Sequence, residues 1–192
     1  MRVIGGVARG RRLKVPKGQS VRPTAARVKE ALFNILPRDF SGVRVLDLFA
    51  GSGNVSIEAL SRGAEKTILI DESPRSVAVI RDNLDRLGLS ERAEVWTVPV
   101  FRALKKLAKS RQRFDLIFLD PPYDRGWVET SLKAIAQYDL LSESGIAVAE
   151  HSPHEAVEPQ YGNLVLNDQR RYGDTLLSFF KRDLTLNSVA RG

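Results

Sequence analysis

The sequence predicts an α/β fold: a doubly wound, mostly parallel, seven-stranded sheet with a closing antiparallel hairpin and a small N-terminal extension. Three observations support this prediction. From about residue 43 onward, short apolar runs typical of buried strands alternate with segments of helical periodicity. Glycine or proline stands at the ends of several of these segments, where helices and strands are expected to stop. The last two apolar runs have no helix between them, so we expect them to pair as an antiparallel hairpin at one edge.

The predicted elements can be placed along the chain. The seven strands are expected at residues 43–49, 67–70, 93–98, 114–119, 145–150, 157–167 and 175–182. Helices are expected at residues 54–62, 74–87, 102–109 and 129–138. Ser73 followed by Pro74 predicts the start of the second of these helices, since serine is a favoured N-cap and proline is favoured in the first turn. Gly88 predicts its end.

The first 37 residues are predicted to be an extension of the main domain. Two short β-prone pieces around glycines in residues 2–16 indicate a hairpin. Apolar residues then recur at Val28, Leu32 and Ile35 with helical spacing, and Pro37 ends the helix. We expect residues 38–183 to form the main domain and residues 184–192 to form a tail.

Basic charge is concentrated at the start of the chain. Residues 1–29 carry nine basic side chains and no acid, whereas the rest carries 21 basic and 23 acidic side chains. Lysine and arginine neutralise phosphates, so this arm favours a nucleic-acid partner over the alternative of a solvated basic terminus. The residues predicted to bind phosphates are Arg2, Arg9, Arg11, Arg12, Lys14, Arg22 and Arg27.

Composition makes several other classes of protein improbable. The chain has no cysteine, which excludes disulfides and thiolate chemistry and fits a reducing cytoplasm. No apolar run approaches the roughly 20 residues that span a bilayer, and no leader segment is recognisable, so neither membrane insertion nor secretion is expected. We interpret His151 and His154 as solvated loop residues rather than metal ligands. A monomer without a metal site is expected.

The most informative motif is Asp120, Pro121, Pro122 and Tyr123, directly after the apolar run 114–119. Two prolines cannot continue a sheet ladder, so the strand must end there. An acid and carbonyl groups can accept N–H bonds from a flat amine-bearing ring, no proline N–H competes, and the tyrosine can stack on the ring. Taken alone, the motif could equally be a plain turn with a surface tyrosine.

A second motif lies after the first strand. It comprises an acid near the strand end and a glycine-containing turn, formed by Asp47, Phe49, Ala50, Gly51, Ser52 and Gly53. Glycines at such a junction let a ligand approach the backbone. Ser56 stands where a dinucleotide fingerprint would have a third glycine, and the Asp47 carboxylate would repel a pyrophosphate but attract a cation. These two residues favour S-adenosylmethionine over NAD.

A third motif ends the second strand. Asp71, followed by Glu72, lies 18 residues after Gly53. This spacing is close to that at which an acid accepts the ribose hydroxyls of a nucleoside cofactor. The alternative is a surface acid near a helix N-terminus. Because open α/β sheets bind ligands at the carboxyl ends of their strands, the three motifs together favour a functional site.

These residues resemble the class I S-adenosylmethionine-dependent methyltransferases, and in particular the RsmD family of bacterial 16S rRNA (guanine-N2)-methyltransferases. The resemblance covers roughly residues 2–182. Its segments are R-V-I-G-G and R-G-R-R-L in the arm, V-R-P-T and R-V-K-E-A-L-F-N-I-L at 21–36, D-L-F-A-G-S-G and E-A-L-S-R-G-A at 47–64, D-P-P-Y at 120–123 and R-Y-G-D-T at 171–175. Ala26 departs from the pattern, because many relatives carry an acid there. The third predicted strand ends in Val98-Pro99-Val100, without an acid or amide to hold the cofactor's adenine.

The resemblance implies a function and a set of roles. Asp47, the Ala50–Gly53 turn and Asp71 would bind the cofactor. The D-P-P-Y residues would hold a guanine for methylation at N2, in ribosomal RNA or in the assembling small subunit. Three alternatives stay open: an adenine-N6 DNA methyltransferase, an RNA-binding assembly factor that retains the fold without catalysis, and an NAD-linked oxidoreductase.

Overall fold

The structure is a computed structural model, and it describes residues 1–16 and 23–185, with side chains from residue 26 onward in the second range. The chain divides into two compact units, Met1–Ala103 and Leu104–Gly192. The division falls within helix α4 (Val100–Lys109). The predicted boundary at residue 37 stays a prediction.

The first unit carries three parallel strands: β1 (Arg44–Leu48), β2 (Lys66–Asp71) and β3 (Ala93–Thr97). Their order is β3-β2-β1, and their carboxyl ends lie level, because Leu48 pairs with Ile70 and Asp71 with Thr97. Three helices accompany them: α1 (Pro23–Ile35), α2 (Asn54–Ser61) and α3 (Pro74–Leu87). Acids that end neighbouring strands are therefore brought to one edge, as the sequence predicted.

The second unit carries five strands: β4 (Phe114–Leu119), β5 (Leu141–His151), β6 (Gln160–Tyr161), β7 (Leu164–Tyr172) and β8 (Thr175–Arg182). Their order is β4-β5-β8-β7-β6. Strands β4 and β5 run parallel, and the pairs β5–β8, β7–β8 and β6–β7 are antiparallel. One helix, α5 (Trp127–Gln137), lies between β4 and β5 in the chain. The predicted antiparallel hairpin is confirmed as β7–β8.

The described residues form eight strands rather than the predicted seven. The strand predicted at 157–167 is interrupted at Gly162, which has a φ of 56° and forms a turn between β6 and β7. Strand β7 then continues to Tyr172, five residues beyond the predicted end. An apolar run alone does not reveal such a turn, because one glycine inside a strand pattern also occurs at bulges.

Local signals at helix ends agree closely with the structure. The Ser73 hydroxyl accepts the N–H of Ser76 at 3.3 Å, and Pro74 is the first residue of α3. Gly88 ends α3 in the left-handed conformation, with a φ of 67°. The predicted N-terminal hairpin is smaller than a pair of strands. It contains one antiparallel bridge, between Arg2 and Arg12.

The core of each unit consists mainly of aliphatic and phenylalanine side chains from its strands and helices. In the first unit, Val28 and Leu32 bury one face of α1, as the helical spacing predicted. Among the described residues, no helix combines the length and the apolar character that crossing a membrane would require.

Candidate functional site

The turn after β1 has an unusual backbone. Phe49, Gly51 and Gly53 have positive φ angles of 65°, 57° and 74°. Glycine adopts this conformation at little cost, but phenylalanine does so rarely. Strained residues of this kind persist where the surroundings hold them, and they cluster at ligand-binding sites. The turn therefore has a specific backbone conformation that the surrounding structure maintains.

Gly53 is fixed by packing as well as by its φ angle. A Cβ atom at this position would lie 3.2 Å from Leu69 Cδ2 and 3.3 Å from both Ile57 Cδ1 and Ile80 Cγ1. These atoms belong to β2, α2 and α3, so the glycine allows the turn to lie directly on the core. From the sequence we expect the glycines to let a ligand approach the turn backbone closely. The structure shows that Gly53 also lets this backbone pack closely against the protein interior.

Asp71 organises the turn from the end of β2. One carboxylate oxygen accepts the N–H of Gly51 at 2.8 Å, and the other accepts the N–H of Ser73 at 2.8 Å. Each oxygen keeps a further lone pair for a ligand hydroxyl. Asp71 is half-buried and the adjacent Glu72 is exposed. The side chains predicted to meet a ribose thus lie beside the glycine turn.

Asp47 is buried, with 2% of its surface exposed, and its carboxylate accepts the hydroxyl of Ser56 at 2.9 Å. Ser56 is fully buried in the first turns of α2. In the sequence, Ser56 indicates only that a dinucleotide site is disfavoured. The structure gives it a positive role, because it supplies a donor to the acid that precedes the turn.

Two amide side chains brace the same turn. The Asn83 Nδ2 donates to the backbone oxygens of Ser52 at 3.3 Å and Lys14 at 3.0 Å. The Lys29 ammonium donates to Asn54 Oδ1 at 2.9 Å. The N-terminal arm and the glycine turn therefore share hydrogen-bond partners, a link that sequence reasoning did not find.

The arm is anchored by a buried acid, Glu58 of α2, which sequence reasoning also missed. Its carboxylate accepts the backbone N–H groups of Ile4 at 2.9 Å and Gly5 at 2.7 Å. It also pairs with Lys29 at 3.2 Å and Arg62 at 2.9 Å. Burial lowers the pKa of Lys29, and the Glu58 carboxylate partly offsets that effect. A fully buried acid with four donors is well satisfied.

The basic side chains of the arm fall into two groups. Arg11 donates to the backbone oxygen of Arg86 at 3.1 Å, and Lys14 pairs with Asp82 at 3.0 Å, so both are tied to α3. Arg2, Arg9, Arg12 and Arg27 are exposed as well, and within residues 1–16 and 23–185 none of them forms an ion pair, although Arg2 donates to the backbone oxygen of Gly10 at 3.3 Å. Arg22 lies outside the described residues. The role of these arginines in binding phosphates stays a prediction.

The D-P-P-Y segment of the second unit follows β4 directly, as predicted. Asp120 is exposed although it follows four buried residues, Pro121 is buried, and Pro122 is exposed. The acid therefore faces solvent while the next residue packs inward. This arrangement presents a carboxylate at a strand end, beside a position that has no N–H.

Tyr123 is held by two groups that the sequence analysis did not assign. Its hydroxyl lies 3.4 Å from the Thr175 hydroxyl, and it donates to the Glu150 carboxyl. Thr175 is the last residue of the R-Y-G-D-T motif. That motif supported the family resemblance, but the sequence did not assign any of its residues a role in the site. Glu150 lies near the end of β5. Asp47, Asp71 and Asp120 also lie at or just after strand ends, so this position could have marked Glu150 as a candidate site residue.

Glu150 is in an unfavourable place for a charge. Burial raises its pKa well above the ordinary value, and repulsion from Asp120 raises it further, while the hydrogen bond from Tyr123 opposes these effects. A strongly raised carboxyl pKa beside a second acid is typical of functional sites.

The interpretation of both histidines as solvated was wrong for His151. It is fully buried, and its ring lies 2.7 Å from the Ser178 hydroxyl and 3.0 Å from the Ser152 carbonyl oxygen. Burial lowers its pKa. His151 is thus a satisfied core residue, whereas His154 is exposed. The described residues contain no group of three or more side chains suited to holding a metal ion.

Known proteins with similar sequences match this chain over nearly its whole length. The "Putative rRNA methyltransferase YlbH" of Bacillus subtilis is 42% identical over 182 residues, covering 95% of this chain and 99% of that protein. The ribosomal RNA small subunit methyltransferase D of Escherichia coli is 30% identical over 183 residues, covering 95% and 90%.

A solved structure of a hypothetical protein from Thermus thermophilus superposes with a TM-score of 0.80 at 32% identity, covering 94% of this chain and 99% of that one. It confirms the predicted mostly parallel α/β fold. A sequence family described as Conserved hypothetical protein 95 matches residues 1–181. The family resemblance predicted from the motifs is therefore confirmed, and the chain belongs to the Conserved hypothetical protein 95 family.

Proposed function

We propose that this chain transfers a methyl group from S-adenosylmethionine to the exocyclic N2 amine of a guanine in small-subunit ribosomal RNA. Relatives covering nearly the whole chain are named as rRNA methyltransferases, which supports the reaction and the class of substrate. The choice of the guanine N2 amine rests on the family resemblance together with the D-P-P-Y segment.

The observation that carries the proposal is the exposed carboxylate of Asp120 at the end of a buried strand, with Tyr123 fixed beside it by Thr175. The amine of a nucleobase is a weak nucleophile because its lone pair is delocalised into the ring. When Asp120 and the Pro121 carbonyl accept the amine protons, they favour a pyramidal nitrogen whose lone pair is available. Holding that nitrogen in one orientation lowers the barrier by several kcal/mol, and stabilising the developing positive charge lowers it further.

The turn after β1 fits a nucleoside that carries a cation. The Asp71 carboxylate has lone pairs left for ribose hydroxyls, and Glu72 is exposed next to it. The acids Asp47, Asp71 and Glu72 would oppose a pyrophosphate, which disfavours the dinucleotide alternative. When bound, S-adenosylmethionine supplies an activated methyl group on a sulfonium. The chain's part is to hold the nucleoside through Asp71, Glu72 and the Phe49–Gly53 backbone.

The target base must leave its stack, which costs a few kcal/mol. Stacking against Tyr123 returns about 1–3 kcal/mol of this. The exposed arginines Arg2, Arg9, Arg12 and Arg27 would bind the RNA backbone, since phosphate contacts give affinity and orientation without reading sequence. The protein would work in the cytoplasm, on free RNA or on an assembling subunit.

The test is methyl transfer from labelled S-adenosylmethionine to unmodified ribosomal RNA, to small-subunit particles and to duplex DNA. The products are digested to nucleosides and separated. We expect N2-methylguanosine from the RNA or the particles and no label in DNA. Label in N6-methyladenine of DNA would replace this proposal with the adenine alternative. Tight cofactor binding without transfer to any substrate would favour an RNA-binding factor.

A further inference from the structure

We propose that Glu150 is a specificity residue of the target-base site, which accepts the ring N1–H of guanine beside the amine that Asp120 holds. This inference rests on the function proposed above and extends it to a residue outside the D-P-P-Y motif. In this proposal the Glu150 carboxyl, near the end of β5, selects guanine over the other nucleobases.

The sheet register places the two acids side by side. Strands β4 and β5 are parallel, and their last registered pair is Leu119 with Ala149. Asp120 directly follows the end of β4, and Glu150 is the next residue of β5. Neighbouring residues of parallel strands project to the same face, so both carboxyls leave the sheet together. Asp120 acts electrostatically on Glu150, as this placement requires.

Two residues of the motif segments hold the Glu150 side chain in place. The Tyr123 hydroxyl donates to its carboxyl, and Thr175 lies 3.4 Å from that hydroxyl. Thr175 is buried and begins β8, which pairs with β5. Tyr123 thus contacts Glu150 directly, and Thr175 contacts the Tyr123 hydroxyl, so two segments that are distant in sequence position this carboxyl.

Glu150 has no basic side chain to compensate its charge. Among the described residues, it forms no ion pair with lysine or arginine. On β8 it is opposite the apolar Leu177, and in α5 the charged Lys133 is paired with Glu129. The neighbouring His151 is bonded to Ser152 and Ser178. A half-buried acid repelled by its neighbour reduces stability, which is expected where a donor-rich ligand will bind both.

The edges of the nucleobases decide which ligand fits two adjacent acceptors. In guanine the N2 amine is next to a ring N1–H, so the edge presents donors side by side. In adenine the ring nitrogen next to the amine on the Watson–Crick edge is the bare N1, and in cytosine it is the bare N3, and both are acceptors. An ionised carboxylate at Glu150 attracts the first edge and repels the other two. Buried polar groups left unpaired by the wrong ligand give strong discrimination.

The same arrangement predicts a pH dependence. Burial and Asp120 raise the pKa of Glu150 in the free protein, so its carboxylate form becomes abundant only at a higher pH than for an ordinary glutamate. Because kcat/KM reports the ionisation of the free enzyme, it should rise with pH through this raised pKa. Glu150→Gln removes that group and with it this part of the pH profile.

The experiment compares wild type, Glu150→Gln and the control Glu143→Gln, which changes an exposed glutamate on the same strand. After wild type has been used to map the methylated nucleotide, kcat/KM is measured on that RNA, assembled into particles if required. A second substrate carries 2-aminopurine, which keeps the amine but has a bare N1. The missing oxygen of 2-aminopurine affects all variants equally, so its effect cancels when the guanine-to-2-aminopurine ratio of kcat/KM is compared between variants.

We expect Glu150→Gln to lose about tenfold in kcat/KM on guanine above the raised pKa, because a charged hydrogen bond becomes neutral. Its preference for guanine over 2-aminopurine should fall about tenfold, since the amide N–H can donate to a bare N1. Glu143→Gln should match wild type in both quantities. If Glu150→Gln does not fold, Glu150→Asp keeps the charge and should retain the rising pH limb and the preference for guanine.

Two failures can be told apart. If wild type makes no N2-methylguanosine, the proposed function is wrong and this inference falls with it. If wild type makes it, but Glu150→Gln keeps the wild-type pH profile and base preference, only the role of Glu150 is overturned. A variant that lowers the melting temperature but leaves both quantities unchanged would show a structural role alone.

Discussion

Three acids of the first unit, Asp47, Asp71 and Glu58, differ in their surroundings from two acids of the second unit, Asp120 and Glu150. Asp47, Asp71 and Glu58 all receive hydrogen bonds from the protein itself: a serine hydroxyl, backbone N–H groups and basic side chains. In the second unit Asp120 is exposed, and Glu150 is crowded by it while Tyr123 donates to the Glu150 carboxyl. The three acids of the first unit stabilise the backbone of the glycine turn and of the arm. We propose that the two acids of the second unit accept hydrogen bonds from a ligand.

This difference indicates a division of labour. Satisfied acids stabilise the fold and make a turn rigid before any ligand binds. A half-buried acid such as Glu150, without a compensating charge, costs stability, and natural proteins retain such groups where they do chemistry or recognition. We therefore expect variants of the first unit to weaken cofactor binding and stability together. Variants of the second unit should change turnover without weakening stability or cofactor binding.

The largest expected effect comes from Asp120→Ala. Loss of the acceptor at the target amine should lower kcat by about 100- to 1,000-fold, the range found when one electrostatic contact to a transition state is removed. Methyl transfer to RNA is the measurement. The control is Asp124→Asn, which changes a nearby exposed acid with a φ of 57°, a conformation that asparagine tolerates. A comparable loss in the control would contradict the assignment to Asp120.

Gly53→Ala should be the most damaging change in the first unit. It combines a positive φ with contacts of 3.2–3.3 Å to three core side chains, so we expect unfolding free energy to fall by about 2–4 kcal/mol. Cofactor affinity should fall with it, because the turn must move. Gly88→Ala is the matched control, with a φ of 67° and nothing within 4 Å of the added atom. It should cost about 1–2 kcal/mol and leave cofactor affinity unchanged. Equal losses for the two variants in chemical denaturation would show that packing at the turn is unimportant.

Ser56→Ala removes a donor from the buried Asp47. A buried carboxylate that loses a hydrogen bond is destabilised, and we expect a loss of about 1–3 kcal/mol in thermal or chemical unfolding. Ser131→Ala provides the comparison, because its buried hydroxyl has no hydrogen-bond partner among the described residues. That change should be close to neutral. A neutral Ser56→Ala would mean that Asp47 does not depend on this bond.

The smallest expected effect concerns the arm. Replacing the exposed Arg9 and Arg12 with glutamine removes up to two phosphate contacts, so the slope of log affinity for RNA against log salt should flatten by about 1.5. Lys133→Gln, which removes an exposed lysine of the second unit, should leave the slope unchanged. An unaltered slope in the double variant would remove these arginines from the RNA-binding surface.

Features that depend on nearby residues were predictable from the sequence. The start of α3 at Ser73 and Pro74, its end at Gly88 and the strand before Asp120 all agree with the structure. These depend on capping chemistry, backbone conformation and apolar runs, which act over a few residues. For the same reason the acids that end strands could be identified as candidate ligand-binding residues.

Features that depend on distant residues were not predictable. Glu58 meets the N–H of Ile4, which lies 54 positions away, and no local pattern marks a helical glutamate as buried. Glu150 was placed at the end of a predicted strand, but its position beside Asp120 depends on which strands pair. The burial of His151 has the same cause, since its partner Ser178 belongs to β8. The division of 157–167 into two strands depended on a single turn at Gly162.

The most direct test of the division of labour is the dissociation constant for S-adenosylmethionine, measured by calorimetry, in Asp120→Ala and Gly53→Ala beside wild type. We expect Asp120→Ala to bind the cofactor as wild type does although its kcat is about 100- to 1,000-fold lower. We expect Gly53→Ala to bind it at least about tenfold more weakly. Weakened cofactor binding in Asp120→Ala, with undiminished binding in Gly53→Ala, would contradict the roles assigned to the two regions.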